Sequence, residues 1–88
     1  MTHEDRIRDY VLTDLLYDAE LPSLADDDPL VGPGMLDSMG VMRLVLWLEE
    51  EFGVHIPDEE VVPERLESVR AVAEWVRALI AGGAPSLA

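Results

Sequence analysis

From Ser38 to Gly53 the apolar residues Val41, Leu44, Val45, Leu48 and Phe52 recur at steps of three and four. Only an α-helix, turning by about 100° per residue, gathers that spacing onto one side. The pattern predicts a helix over about residues 38–52, stopped by Gly53. The same period returns twice. Ile7, Val11 and Leu15, with Leu12 and Leu16 alongside, predict a first helix over about residues 3–18. Its first turn holds Glu4 and Asp5, where acids complement the helix dipole. Val69, Val72, Ala73, Val76, Leu79 and Ile80 predict a last helix over about 69–81, capped by Ser68 and stopped by Gly82-Gly83.

The first two helices are separated by residues 19–37, "AELPSLADDDPLVGPGMLD". Prolines, glycines and an acidic triplet break any helical period there. Leu21, Leu24, Leu30 and Val31 should nonetheless pin this long loop onto the helices and keep it ordered. A turn at Pro57 and a short helix at about 63–66 are expected before the last helix, and the tail "APSLA" should fray. No strand pattern or internal repeat appears. The fold class is therefore all-α: a four-helix bundle of three main helices and one short one. Residues 1–88 form a single domain, with Phe52, Leu48, Val45 and Val72 in the core.

Composition excludes several functions. There is no cysteine, hence no disulfide, thiolate metal site or cysteine nucleophile. Nineteen acids face six basic residues, all of them arginines, for a net charge of −13. Such a surface repels nucleic acid and anionic lipid and favours basic protein partners. No run approaches the roughly 18 apolar residues of a membrane span. The N-terminal "MTHEDRIRDY" lacks the apolar centre of a signal peptide. The expectation is a soluble, cytoplasmic monomer. Asp26-Asp27-Asp28 lacks the alternating spacing and distal glutamate of a calcium loop, so it reads as a solvated run and not as a metal site.

The middle helix has a second apolar stripe. Met39, Met42 and Leu46 lie at i, i+3, i+7, with Arg43 at the edge and Glu49 and Glu50 at the lower end. An exposed stripe bordered by charge and rich in adaptable methionine suits protein docking. Trp47 points elsewhere, toward the loop or the first helix.

Ser38 stands at the head of this helix. Either Asp37 or Ser38 can cap the free amides there, although the acid of a capping box is missing, because Val41 stands three residues after Ser38. A hydrolytic serine needs a base and an orienting acid. The only histidines are His3 and His55, and "MLDSMG" is not a G-x-S-x-G elbow. A phosphate-linked group on Ser38 would be favoured, because a helix N-terminus stabilises anions.

The run Asp37-Ser38-Met39, followed by "LEEEFGVHIPDEE" and "ESVRAVAEWV", resembles the acyl carrier protein family over roughly residues 4–81. That resemblance implies that Ser38, flanked by Asp37, receives 4′-phosphopantetheine from coenzyme A. The transferase would activate the serine, so no base is needed nearby. The prosthetic thiol would carry a thioester cargo between enzymes, and the protein itself would not be an enzyme. Met39, Met42, Leu46, Glu49 and Glu50 match positions that similar carriers present to partners, with Arg43 in the same patch.

The implied partners are a phosphopantetheinyl transferase, an adenylating or acyl-transferring loading enzyme, and a downstream synthase or transferase. "LDSMG" looks like stand-alone carriers, both the D-alanyl carriers and the acyl or aminoacyl carriers of polyketide and nonribosomal peptide pathways. Gly34 lies four residues before the serine, where many relatives place glycine closer. Arg43 stands where fatty-acid carriers typically hold an acid. The leading expectation is a discrete carrier of natural-product biosynthesis. A D-alanyl or fatty-acid carrier is the alternative within the class, and an unmodified acidic interaction module is the alternative outside it.

Overall fold

In the computed structural model, which describes residues 2–16, 24–32 and 35–82, three α-helices carry the fold and no strand is formed among those residues. They are α1 (His3–Tyr10), α2 (Ser38–Phe52) and α3 (Val69–Gly82). The all-α class is therefore seen directly. Leu21, Gly34 and the tail "APSLA" lie outside the described residues.

α1 starts on a capping box. The Thr2 hydroxyl accepts the Asp5 N–H at 3.1 Å, and the Asp5 carboxylate accepts the Thr2 N–H in return. The helix does not continue as a regular α-helix toward residue 18. Val11–Leu15 is a π-helical turn closed by the Leu16 N–H donating to the Val11 carbonyl at 2.8 Å. A π turn is wider than an α turn. Accordingly Ile7, Val11 and Leu16 are buried, whereas Leu15, on the expected i, i+4, i+8 register, is half-buried.

α2 ends at Gly53, whose φ of 65° is left-handed and whose N–H donates to the Glu49 carbonyl. Glycine adopts that conformation without a Cβ clash. Leu44, Val45 and Leu48 are buried, but Val41 and Phe52 are only half-buried. Phe52 is thus not a core residue. It packs at the C-terminal end of α2 with the Arg6 guanidinium 4.8 Å from its ring centroid and the His3 ring at 4.9 Å.

On α3 the Ser68 hydroxyl accepts the Ala71 N–H at 3.1 Å. Val69, Val72, Ala73, Val76 and Leu79 are buried, but Ile80 is exposed and Trp75 takes its place in the core. The buried face is rotated toward Trp75 because the preceding segment packs on that side. The short helix expected at about 63–66 is a 3-10 turn, Pro63–Arg65, and a second 3-10 turn, Asp58–Glu60, precedes it. Glu60 accepts the Trp75 indole N–H at 3.1 Å, and the Arg65 guanidinium sits 5.9 Å from the indole ring. The buried indole therefore has its hydrogen-bond partner.

The connection before α2 is anchored by buried Leu24, Leu30 and Leu36, with Val31 half-buried. The acidic triplet is solvated at Asp27 and Asp28, as expected, but its side chains are also engaged. Asp26 pairs with Arg8, Asp27 pairs with Arg70, and Asp28 accepts the Ala25 N–H at 2.9 Å. The Arg70 N–H donates to the Asp26 carbonyl at 3.0 Å, so the triplet ties the loop to the last turn of α1 and to the head of α3. Glu4 on α1 meets Arg77 on α3 at 2.5 Å, and that hydrogen bond holds the Glu4 carboxyl below its ordinary range.

Candidate functional site

The start of α2 is fixed from both sides. The Leu36 N–H donates to the Leu30 carbonyl at 2.9 Å, the Met35 N–H to the Gly32 carbonyl at 2.9 Å, and the Leu36 side chain is buried. Asp37, with extended backbone at φ −99° and ψ −171°, is the N-cap. Its Oδ1 accepts the Gly40 N–H at 2.8 Å, and its carbonyl accepts the Val41 N–H at 2.9 Å. Between the two residues that could cap, the structure therefore chooses Asp37.

Gly40 allows this arrangement. A Cβ there would lie 3.1 Å from Leu36 Cδ2 and 3.4 Å from Asp37 Oδ1. Absence of that carbon lets the buried leucine and the capping carboxylate both fold against the first turn.

Ser38 is thus the first residue of α2, exposed, and not the capping side chain. The backbone amides of Ser38 and Met39 precede the first intrahelical hydrogen bond and point out of the helix end. A phosphodiester on the Ser38 oxygen would meet those amides and the positive end of the helix dipole. The position fits such a group. It does not fit hydrolysis. His3 packs on Phe52 and His55 follows Gly53, so both histidines stand at the far end of α2, about 20 Å away at 1.5 Å per residue.

Down the helix from Ser38, the second apolar stripe is open. Met39, Met42 and Leu46 are 72%, 50% and 56% exposed. Arg43 and Glu50 flank it and are exposed too. Glu49 is different: its Oε2 accepts the Ile56 N–H at 2.8 Å and lies 3.6 Å from His55 Nδ1. That carboxylate holds the turn after α2 in place and is not a free charge beside the stripe. Spacing along a helix could not reveal this, because the contact depends on the chain reversing at Gly53.

Arg43 also stands out. Arg6, Arg8, Arg70 and Arg77 each pair with a carboxylate, and Arg65 lies over Trp75. Among the described residues Arg43 makes none of these contacts. Trp47 faces α1, stacked on Tyr10 with ring centroids 4.3 Å apart and planes 6° from parallel. Among the described residues no group of three or more potential ligands could hold a metal ion, and no helix is long and apolar enough to cross a membrane.

A family model described as phosphopantetheine attachment site matches residues 5–76, a span containing α2 and every residue of the stripe.

Proposed function

Because the chain belongs to the phosphopantetheine attachment site family, we propose that Ser38 is the residue of this carrier that bears the arm. The domain is the site of covalent 4′-phosphopantetheine attachment, and such a carrier domain is not itself catalytic. When bound, the group supplies a thiol that can hold an acyl or aminoacyl unit as a thioester. The chain's own part is to present one hydroxyl at a fixed place and to offer partners a recognisable surface. The single observation that carries the assignment is division of labour at the helix head. Asp37 caps α2, and the neighbouring Ser38 hydroxyl is left exposed beside the helix amides.

Residues 1–88 make up one carrier domain, a four-helix bundle in which the segment with the two 3-10 turns is the minor fourth element. The described part of the connection before α2, anchored by Leu24, Leu30 and Leu36, serves to place Ser38. Phosphopantetheinyl transferases and partner enzymes act on such domains. The docking face for them is Met39, Met42 and Leu46 with Arg43 and Glu50 at its margin. An adenylating or acyl-transferring enzyme loads the arm, and a synthase or transferase of a natural-product pathway unloads it. Two features support that pathway class over fatty-acid synthesis. "LDSMG" resembles stand-alone carriers, and the exposed Arg43 puts a cation at the margin of the docking face. The same "LDSMG" pattern also favours a D-alanyl carrier as second reading.

The test is intact mass after incubation with coenzyme A and a phosphopantetheinyl transferase. Wild type should gain one arm and Ser38→Ala none. An arm mapped to Ser68, or retained by Ser38→Ala, overturns the assignment. Loading assays with amino-acid-adenylating enzymes and a D-alanine-activating enzyme then separate the two carrier readings.

A further inference from the structure

A groove of about 250 Å³ opens on the side of the molecule where α1 meets α2. Its walls include the stacked Tyr10 and Trp47 rings, and Asp9, Asp14, Glu51 and Arg6 also line it. The π-helical turn contributes here, since Thr13 and Asp14 both lie in it and both reach the groove. Isolated π turns inside helices are frequent at functional sites.

The charges are unequal. Arg6, the one cation in the described lining, is committed to Glu51, and among the described residues exposed Asp9 and Asp14 pair with no cation, although Asp14 accepts the Thr13 hydroxyl at 2.9 Å. Aromatic faces beside free carboxylates are the surroundings that a cation prefers, through the ring quadrupole and charge–charge attraction together. The molecule already uses this chemistry next door, where the Arg6 guanidinium lies 4.8 Å from the Phe52 ring centroid and pairs with Glu51.

We propose that this groove receives the guanidinium of an arginine presented by a protein partner. The two rings cover one face of each other, so a planar cation would lie over an outer face of the Tyr10–Trp47 pair while its N–H groups meet Asp9 or Asp14. Trp47 is nine residues from Ser38, about half a turn round α2 at about 100° per residue, and about a quarter turn from the methionine stripe. Arg43 and Glu50 fall between stripe and groove. A partner seated on the stripe can therefore extend an arginine round the helix into the groove without approaching Ser38. The net charge of −13 draws such a basic partner in. The proposal concerns the bare protein surface and stands apart from which serine carries the arm.

The experiment is a titration of the full, unmodified ¹⁵N-labelled chain with N-acetyl-arginine amide, and with its uncharged counterpart N-acetyl-citrulline amide. The arginine probe should produce saturable shifts concentrated on Arg6, Tyr10, Thr13, Asp14 and the Trp47 indole. Citrulline should produce none. Trp47→Leu should weaken binding about fivefold, the change expected for loss of an exposed cation–π contact. Asp9→Asn with Asp14→Asn should weaken it as well; both residues are exposed, so this variant tests the groove even if Trp47→Leu does not fold. Equal shifts with citrulline, shifts spread over the whole acidic surface, or unchanged affinity in the double variant overturn the proposal.

Discussion

The Asp37 carboxylate crosses the first turn of α2 to accept the Gly40 N–H at 2.8 Å, so the helix head is held by Asp37 and not by the hydroxyl of Ser38 beside it. Stability and modification should therefore separate between neighbours. Asp37→Ala should cost about 1 kcal/mol, the usual value of an N-cap, and lower the melting temperature by about 4–8 °C in a domain this small. Ser38→Ala should stay within about 0.5 kcal/mol of wild type, as exposed sites do, while losing the arm. Thermal denaturation followed by circular dichroism checks both. Equal destabilisation by the two variants would mean that Ser38 shares the cap.

Leu48 and Phe52 sit one turn apart on α2 and should respond differently. Leu48 is fully buried, so Leu48→Ala should cost about 2–5 kcal/mol, enough to threaten a small domain. Phe52 is half-buried against Arg6 and His3, so Phe52→Ala should cost clearly less. Urea denaturation of both variants decides the order, and a larger loss at Phe52 would contradict the observed burial.

Glu49 and Glu50 are adjacent and both acidic, yet only Glu49 has a structural task. Glu49→Lys removes the acceptor of the part-buried Ile56 N–H and should destabilise the turn after α2. Glu50→Lys should leave melting unchanged. If Glu50 steers a basic partner, that variant should slow loading at low salt and approach wild type as salt rises, because the Debye length falls from about 10 Å at 0.1 M to about 3 Å at 1 M. Met39→Ala removes apolar contact and should slow loading at every salt concentration. A salt series of loading rates with the cognate enzyme separates the three.

Acid should loosen the contact between α1 and α3. The Arg77 guanidinium holds the Glu4 carboxyl below its ordinary value of 4.5. A depressed folded value means that the unfolded chain takes up the proton first. The stabilisation is therefore complete above that ordinary value and is lost as pH falls through the lower folded one. Asp5, held down by Arg8, acts in the same sense. Glu4→Gln should be less stable than wild type at pH 7 and should lose less stability between about pH 5 and pH 3. Parallel pH–stability curves for the two proteins would show that the contact contributes nothing to acid unfolding.

The sequence by itself determined the all-α class, because apolar spacing at three and four residues has no strand solution. It also placed Ser38 at a helix head and made Met39, Met42 and Leu46 an off-core stripe, since position along a helix fixes direction. Whatever depended on a second element was left to the tertiary structure. Asp37 and Ser38 were equal candidates for the cap until the backbone before α2 was set by buried Leu36. Trp75 replaced Ile80 in the core because the 58–66 segment covers that side of α3. Glu49 took on a structural task because the chain turns back at Gly53 and brings Ile56 to it. The acidic triplet gained ion pairs because Arg8 and Arg70, distant in sequence, converge on it. A one-dimensional period reports which way a side chain points, but what it meets there is decided by chain reversals that no local pattern encodes.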